Sequence, residues 1–171
     1  PNPAIAPHAV TPDKLGVIPA VRALDAFQSG GTDHCGVGFT SVPNSAVTTL
    51  LWEHETFDTA GMHIADALCQ NPNASRITAP MDGVYVVSAG VLWGQNATGT
   101  RYLGINVNGN GLAADERQAN GGAGAGSTTQ NVTAETVLHA GDFVTAEVNQ
   151  TSGSSLVLAG DWPAAEDAAR W

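Results

Sequence analysis

The longest apolar, β-branched run in the chain is Arg76 to Trp93, RITAPMDGVYVVSAGVLW. Arg76-Ile77-Thr78-Ala79 is β-prone. Pro80-Met81-Asp82-Gly83 carries the Pro and Gly of a tight turn. Val84 to Trp93 is rich in Val, Tyr and Trp, which suit a pleated, half-buried surface. The pattern predicts a strand, a turn and a long central strand. Downstream, Arg101 to Val107 alternates Tyr102, Gly104 and Asn106 against Leu103, Ile105 and Val107, the period of a half-buried strand. Asn108-Gly109 is a hairpin turn, followed by a weaker strand over Gly111 to Arg117. Thr128 to Leu138 places Val132, Ala134, Thr136 and Leu138 on one face. Phe143 to Asn149 and Ser154 to Gly160 complete the series. Upstream, strands are expected over Ala20 to Phe27, Phe39 to Val42, Ala46 to Glu53 and Glu55 to Thr59. Gly61 and Pro72 bound Met62 to Asn73 closely, so that stretch reads as a loop with a turn of helix.

Short strands with turns about every 8–12 residues indicate a sandwich or barrel. The connections alternate in kind. Pro80–Gly83, Asn108–Asn110 and His139–Asp142 are tight, whereas Gly94–Thr100, Gln118–Ser127 and Gln150–Gly153 are looser and polar. In strands joined up and down, alternate connections lie at opposite ends. One end is therefore expected to be compact. The other should carry three polar loops, distal to the point where the chain joins the domain. Their donors and acceptors, Gln95, Asn96, Thr98, Arg101, Asn120, Gln150 and Thr151, are the candidate binding residues, suited to a sugar or a flat epitope.

Composition narrows the partners. Of 171 residues only six are Lys or Arg, and the net charge is −10. Too few cations are present to displace counterions from nucleic acid or to hold an anionic bilayer. No run of about 18 apolar residues suggests a membrane span, and no basic-then-apolar start suggests a signal peptide. Pro1 to Pro19, with Pro at 1, 3, 7, 12 and 19, reads as a connecting arm. The domain is expected over 20–160, with a tail of helical composition over 161–171. Cys35 and Cys69 could form one disulfide or remain two thiols.

Catalytic and metal chemistry find little footing. His8, His34, His54, His63 and His139 include no His-x-His pair, and the nearest grouping is His54-Glu55 with His63 and Asp66. Asp82 and Asp142 are explained by turn chemistry. No Gly-x-Ser-x-Gly is present for a serine nucleophile. The Gly-rich segment Gly121 to Gly126 lacks the Lys-Ser/Thr of a phosphate loop. No cofactor, metal or enzymatic activity is expected.

Two motifs carry a resemblance. One is Phe57-Asp58-Thr59, Gly61-Met62-His63, then Ile77-Thr78-Ala79-Pro80-Met81-Asp82-Gly83-Val84-Tyr85. The other is Leu138-His139-Ala140-Gly141-Asp142-Phe143-Val144. Together they resemble the heads of the complement first-component (C-one-q) and tumour-necrosis-factor superfamily, over about Ala20 to Gly160. The resemblance implies a ten-strand antiparallel jelly roll, all-β, assembled as a homotrimer. The surplus of apolar residues makes Leu50, Trp52, Phe57, Tyr85, Val86, Val91, Trp93 and Leu158 the candidate core and trimer-interface residues. The chain has no collagen-like stem, and its last strand lacks the bulky aromatic ending of that family. The arm, Ala9-Val10-Thr11-Pro12-Asp13-Lys14-Leu15-Gly16 and Ile18 to Ala23, resembles the connectors before the heads of bacteriophage tail or surface fibres. This implies a virion-surface head that binds a host glycan or protein, with arm and tail contacting other virion proteins. The alternatives are a capsid decoration or minor capsid protein, and a secreted ligand of the tumour-necrosis-factor type.

Overall fold

The computed structural model of the protein describes residues 16, 18–24, 40–66, 70–119 and 126–159. The arm before residue 16, Cys35, Cys69, Asn120, the segment 121–125 and the tail from 160 lie outside the described residues.

Among the described residues there are eleven strands and no helix. They are β1 (Val21–Leu24), β2 (Ser41–Val42), β3 (Thr48–Thr49), β4 (His54–Asp58), β5 (Ile77–Thr78), β6 (Gly83–Trp93), β7 (Thr100–Val107), β8 (Asn110–Gln118), β9 (Thr128–Leu138), β10 (Phe143–Gln150) and β11 (Leu156–Ala159). All pairings are antiparallel. One sheet runs β3-β10-β7-β8, with β5 also on β10. A second runs β2-β11-β6-β9, and β1 with β4 forms a separate ribbon. The connections β6–β7, β8–β9 and β10–β11 each cross between the two sheets, whereas β7–β8 is a hairpin within one. Its turn has Asn108 at φ 51° and Gly109 at φ 80°. Left-handed backbone at both positions matches the right-handed twist of the flanking strands.

Alternation decides what each strand buries. In β6 the odd positions Tyr85, Val87, Ala89, Val91 and Trp93 turn inward, while Val84, Val86, Ser88 and Gly90 turn out. In β9 Gln130, Val132 and Leu138 are buried, while Asn131, Thr133, Glu135 and Val137 are exposed. The core joins Trp93, Val132, Leu138, Leu156 and Leu158 of one sheet to Leu103, Ile105, Val144, Ala146 and Val148 of the other. Each Val, Leu or Ile among these stabilises the fold by roughly 1.5–3 kcal/mol on full burial.

The three tight turns meet at one end. Asp82 Oδ1 accepts from Ala140 N at 2.9 Å. Asn108 Nδ2 donates to Asp142 Oδ1 at 2.8 Å, and Asn108 Oδ1 accepts from Phe143 N at 3.0 Å. Asp142 Oδ2 accepts from His139 N at 2.7 Å. Each acid closes its own or a neighbouring turn.

The structure revises several details. The expected turn of helix after Gly61 is not formed within residues 62–66 and 70–73. Met62 and His63 are buried there instead, and Asp58 Oδ2 accepts from His63 N at 2.9 Å. The strand expected over Gly111 to Arg117 is formed and is one residue longer at each end, pairing with β7 from Asn110 to Gln118. The interface candidates separate by strand parity. Leu50, Trp93 and Leu158 are core, and Trp52, Tyr85 and Val91 pack against it. Only Val86, at 72 %, and Phe57, at 46 %, are substantially exposed.

Candidate functional site

The looser loops meet at the end opposite the tight turns. Thr151 Oγ1 accepts from Thr100 N at 2.8 Å, and Thr151 N donates to Thr100 O at 3.2 Å. Ala119 N donates to Gly99 O, and Ser45 N to Gln150 O. Asn44 Oδ1 accepts from Gly153 N at 2.7 Å. The loop after β6 therefore lies against the loop after β10. Gly99 sits at the closest approach, with φ +76°, and a Cβ there would lie 2.0 Å from Thr151 O. No other residue fits that position without moving the backbone.

Four sequence-predicted residues, Gln95, Asn96, Thr98 and Thr151, present polar groups at this end. Gln95, Thr98 and Thr151 are exposed and Asn96 is half-buried. Asn96 also shapes its loop, since its Oδ1 accepts from Thr98 N at 2.8 Å. Arg101 and Gln150 are placed differently, because both are fully buried. Arg101 Nη1 donates to Thr98 O and Thr100 O, and its Nη2 to Asn96 O, at 2.9–3.2 Å. Its guanidinium lies over the Trp93 ring, 5.7 Å from the centroid. Burial lowers its pKa from the ordinary value, although an arginine remains charged. Gln150 Nε2 donates to Val42 O and Ser154 O, and its Oε1 accepts from Ser152 N. Both residues hold the loops from inside and offer nothing to a ligand.

Gln130 belongs to the same framework and was not among the predicted residues. Its Oε1 accepts from Trp93 Nε1 at 2.6 Å. Its Nε2 donates to Arg101 O at 3.0 Å and to Asp115 O at 2.8 Å. Asp115 in turn pairs with Arg117 at 2.5 Å. One buried amide thus ties the central strand to β7 and β8. Its sequence signal was a glutamine at an inward position of β9, opposite Val91 in register.

A second surface lies on the outer face of β6 and β9. Val84 pairs with Val137 across the strands, and Val86 with Glu135. Val84 is 67 % exposed and Val137 is 64 % exposed. Towards the loop end this face turns polar, and Ser88 Oγ meets Thr133 Oγ1 at 3.0 Å. Of its valines only Val86 was singled out from the sequence. Val84 shares its parity, whereas Val137 joins it only through the β6–β9 register.

The histidine grouping resolves into a pair. His63 Nδ1 lies 2.8 Å from Glu55 Oε1, and its Nε2 lies 2.9 Å from Ala74 O. His54 is exposed, and Asp66 accepts from Asn71 N. Among the described residues no three His, Cys, Asp or Glu side chains are grouped to hold a metal ion.

No known protein family matches the chain by sequence profile, and no curated protein matches it by sequence. Solved structures do resemble it. One is murine APRIL at pH 8.5, 16 % identical over 70 % of this chain and 90 % of that one, with a TM-score of 0.46. Murine APRIL at pH 8.0 is 17 % identical over 71 % and 90 %, with a TM-score of 0.47. The Eiger TNF structure from S. frugiperda is 11 % identical over 78 % and 98 %, with a TM-score of 0.40.

Proposed function

We propose that this chain is a non-enzymatic head module that self-associates as a trimer through the outer face of β6 and β9. The observation carrying this reading is the set of three valines, Val84, Val86 and Val137, each 64–72 % exposed on one sheet face. Contiguous apolar surface of this kind marks an interaction site. In a three-copy assembly the loop ends would point the same way, away from the arm. Gln95, Asn96, Thr98 and Thr151 would then form a repeated polar surface, and three weak sites acting together gain avidity. Taken with the resemblance of the arm to fibre connectors, this supports display on a virion surface and attachment to a host-cell glycan or protein.

Two measurements test the two halves. Sedimentation should give the mass of three chains, and Val86→Lys, whose lysine can pair with Glu135, should give folded single chains. A parent protein that sediments as one chain at all concentrations overturns the assembly. The trimer, added to host cells, should label them and compete with the virus, and Gln95→Ala/Thr98→Ala should reduce labelling at unchanged mass. Trimers that label no cells but bind stripped capsids would point to a shell protein instead.

A further inference from the structure

The outer face of the sheet that holds β10, β7 and β8 carries polar side chains that neither the loop end nor the valine face uses. In β10 Val144, Ala146 and Val148 point into the core, and in β7 Leu103 and Ile105 do. Strand alternation therefore turns Thr145, Glu147 and Asn149 outward, together with Tyr102, Gly104 and Asn106. The register sets them side by side, Thr145 opposite Asn106, Glu147 opposite Gly104 and Asn149 opposite Tyr102. Tyr102 does not stand up from the sheet. Its Cε1 and Cζ lie 2.9 Å from where a Cβ on Gly104 would be, so the half-buried ring lies down along β7, over Gly104 and towards Asn106. Asn106 and Thr145 are only 7 % and 9 % exposed. Neither side chain has a hydrogen-bond partner among the described residues, and their polar atoms still reach the surface. The half-buried Glu147 and Asn149 side chains are likewise without a partner there. The β7–β8 register shifts beside Asn106, and the residue opposite it is Gly111, so no side chain stands across from it on β8. Buried polar groups ordinarily pair within the fold, and a bulge often re-aims a side chain towards a site.

We propose that this face binds a neutral saccharide, with one sugar ring packed on Tyr102 and its hydroxyls bonded to Asn106, Thr145, Glu147 and Asn149. The chemistry selects the class. A sugar has an apolar C–H side for the aromatic ring and hydroxyls that both donate and accept. The Asn amides and the Thr hydroxyl also do both, and a carboxylate accepts. No Lys or Arg stands in these rows, and Glu116 lies opposite Tyr102 on β8. In the next row the Arg76 guanidinium is engaged over the Phe143 ring, 4.2 Å from its centroid. A sulfated, phosphorylated or sialylated ligand would therefore meet like charge. A cationic ligand would suit the ring and the carboxylates, but would leave the Asn and Thr donors unpaired. This sheet is the one opposite β6 and β9, so the face stays open in a single chain and in a trimer alike. The inference does not rest on the assembly or on the loop end.

The full chain is tested on an arrayed panel of neutral, sialylated and sulfated oligosaccharides with phosphocholine alongside. At least one neutral saccharide should bind. A panel on which nothing binds, or only charged members do, overturns the proposal. The neutral saccharide is then titrated by calorimetry. Tyr102→Ala should weaken binding by about 3–10-fold, and Tyr102→Phe should bind as the parent does. Glu147→Ala/Asn149→Ala removes no hydrogen bond from the fold, and should weaken binding about tenfold at an unchanged melting temperature. Gln95→Ala/Thr98→Ala should leave binding of this saccharide as it was. Binding that survives Glu147→Ala/Asn149→Ala and is lost in Gln95→Ala/Thr98→Ala would place the saccharide at the loop end and refute the site on β7 and β10.

Discussion

At the scale of single residues, the loop end is held by buried polar side chains whose partners are mostly backbone. Gln130 is the clearest case, because one amide satisfies the Trp93 indole and two carbonyls on β7 and β8. Gln130→Leu keeps the volume and leaves those groups unpaired. The expected loss is about 2–3 kcal/mol, from the desolvation of unsatisfied donors and acceptors, read from urea unfolding. Arg101 and Gln150 show why a polar residue near a loop is ambiguous in sequence. A side chain that could face a ligand can equally turn back to the carbonyls of its own loop, and only the fold chooses between them. Gln95 and Thr98 had the same reading and do lie outside.

At the scale of elements, two carboxylates organise the compact end and the turn after β4. His139 N and the Asn108 amide hold Asp142 below its ordinary value of 3.8. Burial pushes Asp58 up, but N–H groups from Met62, His63, Ala60 and Gly61 outweigh it, so it too titrates below 3.8. Both groups bind a proton less readily folded than unfolded. Their stabilisation is complete above the unfolded value and is lost as the pH falls through the lower folded values. The melting temperature should therefore drop as the pH falls from about 4 into the acid range. Asp142→Asn should start lower at pH 7 and lose less over that interval, and a mutant as steep as the parent would remove Asp142 from the account. The turns themselves were legible, since Pro80, Gly83, Asn108-Gly109 and Gly141-Asp142 carry local chemistry. Strands were also expected where β2, β3 and β5 lie, but not their two-residue extent, which is set by where β10 and β11 offer partners.

At the scale of the whole molecule, charge works against the proposed assembly. Each chain carries a net charge of −10, and Glu135 lies beside the exposed valines. Like charges brought together repel, and salt screens them within about 10 Å at 0.1 M. Self-association should thus tighten several-fold between 50 and 300 mM salt, measured by sedimentation at a fixed chain concentration. An interface that weakened with salt would be held by ion pairs instead of by Val84, Val86 and Val137.

The amino-acid pattern by itself determined the class of fold, the long central strand and the separation of tight turns from polar loops. Those features rest on local physics: the two-residue period of a strand, the backbone freedom of Gly and Asn, and the acids that close turns. The tertiary structure decided which face of each strand is covered. It sent Trp93, Leu50 and Leu158 into the core and left Val86 in solvent beside Val84 and Val137. It also turned Arg101 and Gln150 inward. These outcomes depend on register and sheet order, which bring residues far apart in the chain onto one surface and have no signature within a single stretch of sequence.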